Sequence, residues 1–172
     1  MSLLLATNQE HAKAVQLLEE AFDRQPESVE FLLYLAIIHE DGGNYEAAIE
    51  ALDKGLGIAA DSVELVFRKA ILLDKMGRKD EALGHMEIVI KVDPYNPHAL
   101  NYVGYTYAER GIRLQEAESL ILTALDIQPD DGYILDSLAW VYYQMGLYEK
   151  ALEVILEALN YVPDDPVIME HL

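Results

Sequence analysis

The chain has 172 residues, of which 52% are hydrophobic and 25% are charged, so its composition is that of a folded chain and not of a disordered one. Its formal net charge of −19 repels the phosphates of nucleic acid, which excludes DNA or RNA as the main ligand. It contains no cysteine, which excludes disulfide bonds and thiolate metal sites.

The apolar stretches of the sequence are short. Runs such as 154–156 are far too short to span a bilayer, and residues 1–6 lack the basic start and the apolar core of a secretory signal. We therefore expect a soluble chain without membrane insertion. Its compartment stays open between the cytoplasm and, if the full-length protein is exported, the periplasm.

A pattern of the form Gly-x-Tyr-x-x-Ala recurs at a spacing of 34 residues or a small multiple of it. It begins at Gly43 and Gly146, with weaker copies from Gly77 and Gly111. A fixed period of this length predicts a solenoid of helix pairs, each too small to bury its own apolar face. In chain order, the predicted organisation is a partial repeat that is mainly a second helix (1–28), four full repeats (29–62, 63–96, 97–131 with one inserted residue, and 132–165) and the start of a further helix (166–172).

Each full repeat is predicted to contain a first helix A, a turn, a second helix B and a stop rich in Pro or Asp. The turn glycines favour the left-handed conformation, and the Asp or Ser after each stop is suited to cap the next helix A. Small residues predict where helices A and B of one repeat touch. They are Ala36, Ala70, Gly104 and Ala139 in the A helices, and Ala48, Ala82, Ala117 and Ala151 in the B helices.

Both ends of the sequence fall inside repeats. Leu4 and Leu5 are interpreted as the remnant of an A helix, and Pro166 as the opening of the next one. We therefore expect a fragment of a longer protein, with residues 1–3 as a cloning remnant.

These residues resemble the tetratricopeptide repeat family. The match is most complete in residues 132–165, and the sequence of residues 97–165 resembles a bacterial branch of the family. The residues that carry it there are Leu138, Ala139, Tyr142, Gly146, Tyr148, Ala151, Ile155, Ala158 and Pro163. The resemblance implies an all-α fold, a right-handed α-solenoid of antiparallel helix pairs, and a role in binding other proteins.

In such a stack the A helices face the concave side, and the helical period gives the positions that line the groove. They are Leu33, Ile37, Phe67, Ile71, Asn101, Tyr102, Tyr105, Tyr133, Asp136, Trp140 and Tyr143. The last four are spaced by three and four, which predicts one stripe on one helix face with Trp140 at the centre of the ligand site. Asp136 is expected to pair with a Lys, an Arg or a helix N-terminus of the ligand. The alternative is that the inner residues are buried between adjacent A helices.

Two binding modes of the family are not expected here. The carboxylate clamp of its chaperone-binding branch needs Lys, Asn and Arg where this sequence has Leu33, Ile37, Phe67 and Ile71. The Asn ladder of its glycosyltransferase branch is absent, because that row reads Tyr34, Arg68, Tyr102 and Ser137.

Signals of an enzyme are lacking. The five histidines are scattered over different repeats, and none has the spacing of a zinc site. We therefore expect no catalysis, no cofactor and no metal.

Three hypotheses follow for the function. The first is a scaffold that binds a basic, partly apolar peptide or helix in the groove. The second is a structural spacer, with end-to-end self-association through the solenoid ends. The third is the regulatory arm of an enzyme whose catalytic domain lies outside this sequence.

Overall fold

The computed structural model describes the backbone of residues 2–163 and 165–172, and the side chains of residues 10–163 and 165–172. Met1 of the predicted cloning remnant and Asp164 of the last predicted stop lie outside the described residues. The described part is all-helical, as the repeat pattern predicts. Its helices are α1 (Ser2–Arg24), α2 (Val29–Asp41), α3 (Tyr45–Ile58), α4 (Val63–Lys75), α5 (Lys79–Val92), α6 (Pro97–Glu109), α7 (Leu114–Ile127), α8 (Gly132–Gln144), α9 (Tyr148–Tyr161) and α10 (Pro166–His171).

The chain divides into two compact units, one up to His85 and one from Met86. In the first unit, α1 packs on α2, α2 on α3, and α3 on α4. In the second unit, α6 pairs with α7 and α8 with α9, while α6, α7 and α10 all contact α8. Because short turns join the two helices of each pair, paired helices run antiparallel.

The turns within the helix pairs carry glycine in the left-handed region. The φ angle is 74° at Gly43, 75° at Gly77, 63° at Gly111 and 76° at Gly146. Left-handed backbone has little steric cost at glycine, which has no Cβ. The predicted turn positions are therefore confirmed.

The residue inserted in the repeat 97–131 lengthens the turn between α6 and α7. Arg113 takes the left-handed conformation there, with a φ of 50°. Its guanidinium forms two hydrogen bonds to the carboxylate of Glu116, both 2.8 Å long, and lies 4.6 Å from the ring centroid of Tyr107. These contacts offset the strain that this backbone places on a residue with a side chain.

Small residues allow close approach within the helix pairs, as predicted. Gly104 of α6 is buried, and a Cβ added there would lie 2.6 Å from Cγ1 of Ile121 and 3.0 Å from the carbonyl oxygen of Ala117. In α8 and α9, Ala139 and Ala151 are also buried. These positions therefore belong to the packed core.

Side-chain caps fix the beginnings of α6 and α8, whereas Ser28 before α2 makes no such cap. Asn96 accepts a hydrogen bond from the backbone N–H of Ala99, and Asp131 accepts from those of Tyr133 and Ile134. Each cap satisfies amide groups that have no partner inside the helix. The caps fix where α6 and α8 start, and so which residues of each helix face their neighbours.

The first helix differs from its expectation. Leu4 and Leu5 belong to the same continuous helix as the B-helix positions of the partial repeat, and no turn separates them. The physical reason lies in the sequence, because neither glycine nor proline interrupts Ser2–Arg24.

Candidate functional site

A concavity of about 290 Å³ opens among α6, α8 and α10 in the second unit. It brings together five of the predicted groove residues with four others, and we name it the tyrosine groove. Its lining is His98, Asn101, Tyr102, Tyr105, Tyr133, Asp136, Ser137, Val167 and His171.

Helical spacing explains why these side chains meet. Asn101 and Tyr105 are four residues apart on α6, and Tyr133 and Ser137 are four apart on α8. Residues with this spacing lie one above the other on a helix face. Since α6 and α8 pack against each other, the two rows line one groove.

The groove combines aromatic rings with an unused hydrogen-bond acceptor. Oδ1 of Asn101 is buried and accepts a hydrogen bond from none of the residues that the structure describes. A buried polar atom without a partner is unfavourable, so this amide is suited to accept an N–H from a ligand. Tyr133 is 56% exposed at the edge of the groove. Its hydroxyl donates to Oδ2 of Asp165 at 3.2 Å, and the negative charge of Asp165 raises the pKa of Tyr133.

The structure corrects the role expected of Asp136. Its carboxylate is only 7% exposed, because α10 packs on α8 and covers it. Nδ1 of His171 lies 2.8 Å from Oδ1 of Asp136, so the partner of this carboxylate is within the chain. Burial raises the pKa of Asp136, and the contact with His171 opposes that rise. Asp136 therefore supports the wall of the tyrosine groove and is not presented to a ligand as a free charge.

The predicted stripe on α8 is not one site. Trp140 and Tyr143 line a separate concavity of about 230 Å³ with residues of α9 and α10. Tyr143 lies ten residues after Tyr133, and at ~100° per residue the two ends of the stripe point about 80° apart around the helix. Its members consequently face different neighbours.

Trp140 is half-buried and so is not the solvent-facing centre that the sequence suggested. Its ring stacks on Tyr143, with centroids 5.3 Å apart, and on His171 at 5.0 Å. Its Nε1 is buried and donates to no acceptor in the described part of the chain. These contacts tie Trp140 to the packing of α8 against α10.

The predicted residues of the first unit are only partly brought together. Phe67 and Ile71 line a shallow concavity of about 280 Å³ with Glu40, Glu64 and Arg68. There Arg68 lies 3.5 Å from Glu40, which also pairs with Lys75. Leu33 and Ile37 are half-buried on α2 and do not line this concavity.

The sequence interpretation missed His171, which lines both concavities of the second unit. The sequence did contain a signal for it. Tyr102 and Ser137 occupy equivalent positions in successive repeats, and His171 occupies the same position 34 residues after Ser137. Among the described residues, no group of three or more His, Asp or Glu side chains is arranged to hold a metal ion. Within the same part of the chain, every helix is too short or too polar to cross a membrane.

Comparison with known proteins agrees with the observed fold. One model of the tetratricopeptide repeat matches residues 1–63 and 67–132, and a second model of the same repeat matches 134–166. A TPR repeat-containing protein of Pseudomonas aeruginosa is 33% identical over 156 residues. That match covers 90% of this chain but only 26% of the Pseudomonas protein.

Two solved structures share the helical arrangement. YrrB, described as a TPR protein with an unusual peptide-binding site, has a TM-score of 0.78 and 19% identity, over 97% of this chain and 86% of its own. A structure of MamA has a TM-score of 0.77 and 22% identity, over 92% of each chain. At these identities the likeness concerns the fold alone. The family models cover most of the sequence, and the chain belongs to the tetratricopeptide repeat family.

Proposed function

We propose that this chain is a protein-interaction scaffold that binds a basic, partly apolar peptide or helix in the tyrosine groove. The observation that carries the proposal is the meeting of three tyrosine rings with the unpaired acceptor of Asn101. Tyrosine offers a large contact area with few rotatable bonds, and buried polar groups without partners give a site its specificity. The family supports the same use, since YrrB is described as a peptide-binding TPR protein.

The charge of the chain favours a cationic partner. The formal net charge is −19, and the groove is bordered by Asp165, which bonds to Tyr133. Negative potential over the surface speeds the approach of a basic segment, and salt screens this effect. Because Asp136 is occupied by His171, we assign attraction of the cation to the surface field and recognition to the tyrosines and Asn101.

The proposal is tested by selecting peptides from a display library on the 172-residue chain and measuring their affinities. Tyr133→Ala removes the most exposed of the groove rings and should weaken binding by about 2 kcal/mol, or roughly thirtyfold, if Tyr133 is a hot spot. Asn101→Ala should weaken binding by about 1 kcal/mol through the lost acceptor.

The matched control is Tyr95→Ala, which removes an exposed tyrosine that does not line the groove. Selected peptides should be basic and should bind this variant like the original chain. Equal affinity for Tyr133→Ala and Tyr95→Ala would refute the groove as the binding site.

A second candidate function is assembly through a helix face of α9. Leu152 is 50% exposed, whereas Ile49 at the corresponding position of α3 is 7% exposed. The 13-residue α4 follows α3 and packs on it, whereas the helix that follows α9 and packs on it, α10, has only six residues. Tyr148 and Leu156 extend the exposed face, which is shaped to receive a further helix.

Self-association through this face is tested by sedimentation equilibrium at high salt, where repulsion between the acidic chains is screened. Assembly through α9 predicts oligomers that Leu152→Glu abolishes. A monomer at every concentration, or oligomers that this variant leaves intact, would exclude that assembly.

A further inference from the structure

A further cavity, of about 530 Å³, lies in the first unit among α1, α2 and α3. It shares no residue with the tyrosine groove, and none of its lining residues was among the predicted groove positions. Its volume falls within the range of about 300–1,000 Å³ that is typical of ligand pockets. The lining is Glu19, Phe22 and Asp23 of α1, Leu32, Leu35 and His39 of α2, and Ala47, Glu50, Ala51 and Lys54 of α3.

The cavity has a local cause in the sequence of α3. Ala47 and Ala51 stand at two positions where the other B helices carry longer side chains. The corresponding residues are Glu81 and His85 in α5, Glu116 and Leu120 in α7, and Lys150 and Val154 in α9. Two short side chains one turn apart leave space between α3 and α1 that the longer ones would fill. The space is therefore particular to this repeat and is not a general feature of the fold.

The floor of the cavity is apolar. Leu32 and Leu35 of α2 are buried beneath it, at 1% and 6% exposure, and the half-buried ring of Phe22 forms one wall. An apolar side chain that entered the cavity would exchange water for these surfaces, which is favourable in proportion to the area covered.

The rim of the cavity is acidic. Glu19, Asp23 and Glu50 are exposed, and no hydrogen bond or ion pair within the described part of the chain engages their carboxylates. Lys54 is the one lysine of the lining, so three carboxylates outnumber one ammonium group. The carboxylates come from two helices, with Glu19 and Asp23 on α1 and Glu50 on α3.

We propose that this cavity binds an arginine-bearing segment of a partner protein, whose adjacent apolar side chain enters against Phe22 and Leu32. The guanidinium is placed at the rim, between Glu50 and the two carboxylates of α1. Arginine is favoured over lysine because its planar fork can contact carboxylates on two helices at once. A second copy of this chain is disfavoured as the occupant, since each copy carries a net charge of −19.

The test uses acetyl-Leu-Arg-Leu-amide as the probe and ¹H–¹⁵N NMR titration of the 172-residue chain as the measurement. Saturable shifts are expected at amides of α1 and α3 around Glu19, Asp23 and Glu50. The same peptide with Gln in place of Arg should bind at least several-fold more weakly. Glu50→Gln should weaken binding of the arginine peptide by about two- to fivefold, as expected for one exposed ion pair. Its control is Glu46→Gln, which neutralises an exposed carboxylate of the same helix that does not line the cavity.

Two filling variants test the cavity itself. Ala51→Leu introduces the residue that α7 carries at this position, and Ala47→Lys the one that α9 carries. Each should abolish the shifts at α1 and α3 while the far-ultraviolet circular dichroism stays helical. If Ala51→Leu fails to fold, Ala47→Lys at the half-buried edge still decides the question. Shifts confined to residues of the tyrosine groove, or equal binding of the Arg and Gln peptides, would overturn the proposal.

Discussion

Replacement of Gly104 by alanine tests the helix-pair contact on which the repeat register depends. Alanine is favoured over glycine in a helix by about 1 kcal/mol, so on propensity alone the change stabilises the fold. The added Cβ, however, would lie 2.6 Å from Cγ1 of Ile121 and 3.0 Å from the carbonyl oxygen of Ala117. The second contact is with backbone, which cannot rotate away. Overpacking of this kind costs about 1–3 kcal/mol, so after the gain in helix propensity we expect a net loss of up to about 2 kcal/mol.

Gly84 provides the matched control, because it lies within helix α5 and a Cβ there meets nothing within 4 Å. Gly84→Ala should therefore stabilise the chain by about 0.5–1 kcal/mol. The two variants differ by the steric cost at Gly104. Urea unfolding monitored by circular dichroism should show their midpoints moved in opposite directions from that of the original chain. Equal midpoints would mean that α6 and α7 do not approach each other closely at Gly104.

The remaining predictions concern three side chains. Tyr107→Phe should cost about 1–2 kcal/mol, because it removes the hydroxyl that donates to Glu87 at 2.6 Å, and urea unfolding checks this. Burial and that hydrogen bond raise the pKa of Tyr107 from 10.0 to about 12. The protonated hydroxyl therefore contributes its full stabilisation of the folded state below pH 10, and this stabilisation should be lost as the pH rises through 12. Urea unfolding at a series of pH values measures the loss. Burial also raises the pKa of Asp136 above its usual 3.8, so the protonated carboxyl stabilises the folded chain below that pH, and this stabilisation is lost as the pH rises. In urea unfolding at a series of pH values, Asp136→Asn should therefore gain stability relative to the original chain as the pH rises above 3.8. Trp140→Ala should lower the midpoint of thermal unfolding, because the ring stacks on Tyr143 and His171. An unchanged midpoint would mean that these ring contacts do not stabilise the fold.

The repeat register could be predicted from the sequence because local chemistry sets it. The turn glycines have positive φ, and the residues expected at the helix contacts are buried, because backbone preference and side-chain size act over a few residues. The conformation of Arg113 was not predicted. The sequence indicated one extra residue in the turn, but which residue takes the left-handed backbone depends on its contacts with Tyr107 and Glu116.

The candidate site was predicted less completely than the fold. The helical period predicted Asn101, Tyr102 and Tyr105 of the tyrosine groove on α6 but not His98. On α8 it assigned the whole stripe to one site, although different helices pack against different parts of it. Contact of α10 with α8 buries Asp136 and separates Trp140 from Tyr133. The cavity over Leu32 was not predicted for a related reason. Ala47 and Ala51 leave a space only because α1 lies opposite them, and the sequence pattern does not show which helix lies there.

The most direct test of the central claim is an NMR structure of the 172-residue chain bound to a peptide selected on it. The account predicts nuclear Overhauser contacts from the peptide to the rings of Tyr102, Tyr105 and Tyr133, and a peptide N–H placed to donate to Asn101. A bound peptide whose contacts lie wholly outside the tyrosine groove, on the α9 face or elsewhere, would contradict the account.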